Sequence, residues 1–262
     1  MNPESDDSRA ARIRRADYPG CPVTVTEAVA AGRVLRAPRW GLWDVTIGLV
    51  GSIVVGLVVA VALYLADASI AVQVIVGVTS TWLVLAGWPI LATVRRGNGP
   101  VIDLGLRLTW PDTGWGVLGG FVALLSAGVA AAITQVFVPD LNSSAAQAAD
   151  ELRSSGRLAI AVFALIVMVG APIVEELFFR GLFYGAVRKA GASAVWTIVI
   201  TAVAFAGFHL EPLRLFVLLP TGLVLGWVRW KTGSTSASMV AHGFVNAPGA
   251  ILLLLGVDGM SP

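Results

Sequence analysis

The chain has 262 residues, of which 56% are hydrophobic and 13% charged, with a formal net charge of +2. A soluble domain of this size carries about 25% charged residues, so the composition excludes an ordinary soluble fold. Several apolar runs reach the roughly 20 residues that a helix needs to cross a bilayer. Because these runs are continuous rather than alternating, a β-barrel is disfavoured, and we predict an all-α, polytopic bundle of seven to eight membrane helices.

The first 42 residues contain seven arginines and no signal-peptide core, which predicts a flexible basic tail on the cytoplasmic side. Arginines in this position are typical of a topology determinant that also touches anionic headgroups. Nothing else in the sequence supports nucleic-acid binding, and we expect none. The single cysteine, Cys21, excludes an internal disulfide.

Hydropathy predicts seven membrane spans. The fourth span has 30 residues and would form a helix of about 45 Å, against a hydrocarbon core of about 30 Å. Pro172 lies within it and is predicted to kink or break the helix, because proline lacks an amide donor. In chain order the predicted spans are 45–65, 70–93, 115–138, 158–187, 193–209, 215–230 and 236–255.

The basic residues predict the orientation of these spans. With the amino terminus inside, 14 of the 18 basic residues fall on inner segments and only three on outer ones. This bias follows the positive-inside rule and favours an odd number of spans. We therefore expect a multi-pass protein of the cell membrane with a cytoplasmic amino terminus.

Two adjacent glutamates and an arginine lie inside the fourth predicted span, in the stretch "GAPIVEELFFRGLFYGAVRK". An ionisable side chain at membrane depth costs ~2.5–3.5 kcal/mol, so each is a candidate for function. Glu176 and Arg180 are four residues apart, which predicts a structural ion pair. One arginine cannot neutralise two glutamates, and Glu175 is rotated about 100° from its neighbour on a helix. Glu175 is therefore the stronger functional candidate.

The chain has two histidines, and both fall within or at the end of predicted spans. Asn246 follows His242 at i+4, and Phe205 precedes His209 at i−4, so each pair shares one helix face. Buried Glu, His and Asn side chains supply a base for water, an assisting group and an oxyanion donor, which peptide-bond hydrolysis needs. Glu175 and the two histidines are also compatible with a catalytic zinc site. The HExxH signature of many zinc proteases is absent, and the spacing does not decide between the two.

Three short motifs occur in order along the second half of the chain: "EELFFR", "FAGFH" and "HGFVN". They resemble the EExxxR, FxxxH and HxxxN motifs of the CPBP (CAAX protease and bacteriocin-processing, or Abi) family of intramembrane proteases. The resemblance covers residues 101–255. It implies a protease core over 99–262, preceded by two transmembrane helices in 43–98.

The resemblance implies an intramembrane endopeptidase of the class that includes the prenyl-protein CAAX protease Rce1. Glu175 would activate water with help from His209. The resemblance further implies that His242 and Asn246 complete the site and stabilise the oxyanion. The supporting residues would be Glu176, Arg180 and Phe205.

Other functions are compatible with the same residues. Members of the family have been described as metalloproteases and as glutamate proteases; we favour the latter, because glutamate and asparagine supply base and oxyanion donor without an ion. A non-catalytic scaffold, such as an immunity or partner-binding protein, is one alternative, and a proton-coupled transporter is another. The expected partners are the lipid bilayer and a peptide or membrane-protein substrate, which need not be prenylated.

The predicted topology contains one conflict. Glu175 is expected in the inner half of the bilayer, whereas His209 is expected near the outer end of the fifth span. A base must lie within ~3 Å of the proton that it takes, so the two could not share one water at such different depths. A break at Pro172 that moves Glu175 outward would remove the conflict.

Overall fold

The computed structural model describes residues 22–139 and 141–256, and within these ranges every regular element is helical. Cys21 and the four arginines before it lie outside them. The helices, in chain order, are α1 (Val23–Ala30), α2 (Leu42–Leu65), α3 (Ile70–Arg96), α4 (Pro100–Asp103), α5 (Trp110–Phe137), α6 (Ser144–Leu152), α7 (Arg157–Lys189), α8 (Ala194–Phe208), α9 (Pro212–Thr232) and α10 (Thr235–Leu255).

Six of these helices, namely α2, α3, α5, α7, α9 and α10, are long and apolar enough to cross a membrane. Helix α8 is equally apolar but has only 15 residues. These seven helices correspond to the seven predicted spans, and no helix end differs from its prediction by more than five residues. The predicted all-α, multi-pass bundle is confirmed.

Helix α7 runs through Pro172 as one continuous helix, so the predicted break at this residue is wrong. Two π-helical segments, Ile166–Gly170 and Leu177–Phe183, lie inside this 33-residue helix. Pro172 follows the first of them, at the start of a short α-helical stretch that contains both glutamates. A π segment has wider hydrogen-bond spacing, which lets the helix accommodate a residue without an amide donor.

Helices α7 and α8 form an antiparallel hairpin, which resolves the conflict of depth. The turn between them contains Gly191, whose φ of +93° favours glycine. Glu175 lies 14 residues before the end of α7, and His209 lies 15 residues after the start of α8. At 1.5 Å per residue, both lie about 21–23 Å from the turn. The expected difference in depth is therefore wrong.

Part of the predicted flexible tail packs against the core. Trp40 is 1% exposed, its indole N–H donates to Asp103 Oδ2 at 2.8 Å, and the Lys189 ammonium lies 4.4 Å from its ring centroid. Helix α1 buries Val25 beside Ile102 of α4. Residues 22–41 therefore cover one end of the bundle, where α3 and α7 also finish with basic residues. We call this the basic end.

Helix α5 lies close against α10 because glycines line its contact face. A Cβ added at Gly116 would come within 2.8 Å of Val240 Cβ, and one added at Gly120 within 2.8 Å of the Ala241 carbonyl oxygen. No side chain fits between the two helices at these points. The close approach fixes the segment of α10 that carries His242.

Candidate active site

Glu176, Arg180 and His242 form a buried polar cluster between α7 and α10. The guanidinium of Arg180 donates to Glu176 Oε1 at 2.8 Å, which confirms the predicted ion pair. Both side chains are fully buried. His242 Nδ1 lies 3.0 Å from the same carboxylate oxygen, so the second glutamate contacts a histidine as well as the arginine.

Arg180 also contacts residues of α8, α9 and α10. Its guanidinium also donates to the Gly222 carbonyl at 2.9 Å and lies 4.6 Å from the ring centroid of Phe205. The carbonyl of Arg180 accepts hydrogen bonds from Arg229 Nε at 2.9 Å and from the Thr235 hydroxyl at 3.3 Å. Because α9 and α10 both bind this one residue, the π segment after the glutamates is fixed in place.

Glu175 and His209 form a second, more open pair. His209 Nε2 lies 4.0 Å from Glu175 Oε2, and their side chains are 26% and 19% exposed. Nδ1 of His209 lies 2.8 Å from the Phe205 carbonyl. A carbonyl can only accept, so Nδ1 carries the hydrogen, and Nε2 of the neutral ring is an acceptor facing Glu175. No group in the described part of the chain donates to Oε2 of Glu175.

The Phe205 ring joins the two clusters. It makes edge contacts with the rings of both His209 and His242, at centroid distances of 4.8 and 5.6 Å. Phe205 is 1% exposed and packs against Phe179 of α7 at 5.5 Å. One aromatic side chain therefore sets the spacing of the two histidines. The sequence predicts only that Phe205 shares a helix face with His209, and its contact with His242 is an additional finding.

Asn246 is anchored to the first π segment of α7. Its side-chain amide donates to the Val167 carbonyl at 2.9 Å. In the π register, that carbonyl would accept from the residue five positions later, which is Pro172 and has no N–H. The proline therefore leaves an acceptor free for Asn246, and the second amide hydrogen of Asn246 remains available to a substrate.

The structure brings the predicted site residues together in two pairs rather than around one point. Glu175 contacts His209, whereas His242 contacts Glu176. Among residues 22–139 and 141–256, no three His, Cys, Asp or Glu side chains converge in a way that could hold a metal ion. The donor set that the sequence offers for zinc is therefore not assembled among these residues.

Two residues that support the site were not singled out from the sequence. Arg229 was counted among the basic residues of an inner segment, but it is 2% exposed and binds the backbone of α7. Thr235 is fully buried and also donates to the Leu104 carbonyl. In the sequence, Thr235 gives no signal beyond that of a helix start after the N-cap Ser234.

A polar contact fixes the loop that follows His209. Glu211 accepts hydrogen bonds from Ser144 of α6 and from Arg214 at 3.1 Å. Burial alone raises the pKa of the Glu211 carboxyl, but the Ser144 hydrogen bonds and the Arg214 charge outweigh it and lower the pKa below its ordinary value. The carboxylate form of Glu211 is thus the one that ties α6 to this loop.

Comparison with known proteins agrees with the motifs. Residues 157–248 match a family described as type II CAAX prenyl endopeptidase Rce1-like. Over 161 residues the chain is 27% identical to a protein of Bacillus subtilis (strain 168) named "Putative membrane peptidase YdiL". This match covers 60% of the chain and 62%, less than two thirds, of that relative. No solved structure matches the chain. The resemblance to the CPBP, Rce1-like family is confirmed over the helices that carry Glu175, His209, His242 and Asn246.

Proposed function

We propose that the protein is an intramembrane endopeptidase of the CAAX-protease type. Its reaction is hydrolysis of a peptide bond near the terminus of a peptide or membrane-associated protein. The observation that carries the proposal is Glu175, whose side chain is 19% exposed and whose buried Oε2 lacks a donor and lies 4.0 Å from Nε2 of His209. The family match over residues 157–248 supports the same activity.

The proposed mechanism places one water molecule between Glu175 and His209. A distance of 4.0 Å is too long for a direct hydrogen bond, and a bridging water can donate one hydrogen to Oε2 and the other to Nε2. With both hydrogens engaged, the lone pairs of the water oxygen are free to attack. Glu175 is the general base, and His209 orients the water.

The reaction then follows from the remaining side chains. The water oxygen bonds to the substrate carbonyl carbon while Glu175 takes its proton, which gives a tetrahedral oxyanion. The free amide hydrogen of Asn246 stabilises that charge. His242 Nδ1 donates to Glu176, so the ring assists when Nε2 carries a second hydrogen. Glu175 next returns the proton to the leaving amine nitrogen as the C–N bond breaks, and an acid and an amine leave.

The buried cluster gives this site its rigidity. Glu176 holds the His242 ring by Nδ1, and Arg180 holds the Glu176 carboxylate in place. Both act through other residues rather than on the substrate. The charge bias of the sequence supports a cell-membrane location with a cytoplasmic amino terminus.

The test compares wild type with Glu175→Gln in detergent, on a library of quenched fluorescent peptides. Glu151→Gln is the matched control, since Glu151 is an exposed glutamate on α6. We expect cleavage by wild type and the control, and a loss of about 10²–10⁴-fold for Glu175→Gln, the range for a general base. A chelator is expected to have no effect.

Each other outcome contradicts a stated part of the proposal. Wild-type activity in Glu175→Gln would show that another residue is the base. Cleavage that a chelator abolishes would show a metal-dependent mechanism. If well-folded wild type cleaved no peptide in the library, the non-catalytic scaffold would be the better account of the fold.

A further inference from the structure

A second groove lies at the basic end of the bundle, between α2 and α3. Its volume is about 360 Å³, and it shares no lining residue with the Glu175 site. Its walls are apolar, with Ile47 from α2 facing Leu91 and Ala92 from α3, and two arginines, Arg95 and Arg96, lie at its end.

The groove changes from apolar to cationic along a single helix face. Trp88, Leu91 and Arg95 follow one another at intervals of three and four residues, so they lie one above another on α3. Leu91 is 38% exposed and Ile47 is 44% exposed. A ligand lying along this face would meet hydrocarbon first and positive charge at the end of the helix, which is the order of groups in a phospholipid.

The charged residues that line the groove are positive. The exposed residue Arg39 is held beside Arg96, because its backbone N–H donates to the Arg96 carbonyl at 2.7 Å. Asp44 and Asp103 also lie at this end, but both are 1% exposed. The exposed Glu27 of α1 is paired with Arg107 at 2.6 Å. Asp44 is bound by Arg96 and by the Trp88 indole at 3.1 Å, and Asp103 is bound by the Trp40 indole.

Arginines in the last turn of a helix also complement the helix dipole and fix topology. Neither role requires an apolar groove that ends at the arginines. Because the nearby carboxylates are bound to other side chains, the site offers no partner for the cationic part of a zwitterionic headgroup. The charge therefore favours an anionic headgroup.

We propose that this groove binds an anionic phospholipid of the leaflet at the basic end. The phosphate lies between Arg95 and Arg39, with Arg96 behind them, and one acyl chain lies over Ile47 and Leu91. A lipid that binds the folded chain and not the unfolded chain stabilises the folded state. The proposal does not depend on the protease activity.

Thermal unfolding of the full chain in detergent tests the site. Phosphatidylglycerol and phosphatidylcholine with the same acyl chains are added separately, and we expect only the anionic lipid to raise Tm. In the double variant Arg39→Gln, Arg95→Gln, at least half of that increase should be lost. Arg157→Gln is the matched control, because Arg157 is an exposed arginine at the start of α7 and outside the groove, and it should keep the full increase.

Three results would overturn the proposal. Equal increases with both lipids would show general solvation by lipid. An unchanged increase in the double variant would place the anionic lipid elsewhere. An equal increase with glycerol phosphate, which has no acyl chain, would show a site for free phosphate. Native mass spectrometry of Leu91→Trp, which fills the groove, is an independent check and should show fewer retained anionic lipids.

Discussion

His242 Nδ1 lies 3.0 Å from Glu176 Oε1, so the two adjacent glutamates of α7 each face a different histidine. One glutamate is buried with a histidine and an arginine, and the other is partly open with a histidine at water-bridging distance. Neighbouring residues of one type thus have separate roles, because helix rotation turns them to different partners.

Replacing Glu176 with glutamine tests the buried half of this arrangement. The change removes the negative charge and leaves Arg180 as an uncompensated cation in a fully buried position. Breaking a buried ion pair in this way costs about 3–5 kcal/mol. Chemical unfolding in detergent measures the loss, and Glu175→Gln, in the open pair, should lose far less. Equal losses would contradict the separation of the two roles.

Pro172→Ala tests the anchor of Asn246. Alanine restores an N–H that competes for the Val167 carbonyl, and it removes a residue that costs about 3 kcal/mol inside a helix. We expect a more stable protein with a lower kcat, because Asn246 loses its fixed position. Asn246→Ala should lower kcat by about 10²–10³-fold, the effect of losing one oxyanion donor. Unfolding and cleavage are measured on the same samples, and an unchanged kcat in Pro172→Ala would refute the anchoring role.

Gly120→Ala tests the close packing of α5 on α10. The new methyl group would lie 2.8 Å from the Ala241 carbonyl oxygen, a backbone atom next to His242. Overpacking of this kind costs about 1–3 kcal/mol, and displacement of α10 should also reduce cleavage. Gly128→Ala on the same helix is the control, because a Cβ there meets nothing within 4 Å. A control as damaging as Gly120→Ala would contradict the explanation.

The lowered pKa of Glu211, which lies outside the membrane-spanning helices, predicts that stability depends on pH. Its pKa is lowered in the folded state, so its contribution is complete above its ordinary pKa of 4.5 and is lost as pH falls through the lower folded value. The difference in unfolding free energy between wild type and Glu211→Gln should therefore shrink as the pH is lowered. Glu151→Gln should show no comparable trend. A difference that grew at acid pH would contradict the assignment.

The fold could be predicted from the sequence because each membrane helix is a long, continuous run of apolar residues, which composition and length reveal without any periodic pattern. Long apolar runs gave the seven helices, and Glu176 and Arg180 gave an ion pair at a spacing that a helix brings together. The contact between His242 and Glu176 could not be predicted in this way. It depends on where α10 lies relative to α7. Glycines of α5 such as Gly120 hold α10 in that position, through contacts between parts of the chain that are distant in sequence.

The common depth of Glu175 and His209 was not predicted for a different reason. Counting spans assumes that each helix crosses a bilayer of fixed thickness, whereas α7 has 33 residues and α8 only 15. In the hairpin of α7 and α8, Glu175 and His209 lie at similar distances from the shared turn and therefore at the same depth. Pro172 does not break the helix, and its missing N–H leaves the Val167 carbonyl free to accept from Asn246.

The residues of the site are distributed along the chain in a way that affects its biosynthesis. Glu175 and His209 come from consecutive helices, but His242 and Asn246 belong to α10, the last membrane-spanning helix in the described part of the chain. While the ribosome is still translating α9, the nascent protein has the proposed base and lacks the proposed oxyanion donor. A chain truncated before α10 would therefore be inactive, and the proposed activity can begin only after Asn246 has been synthesised and α10 has packed against α7.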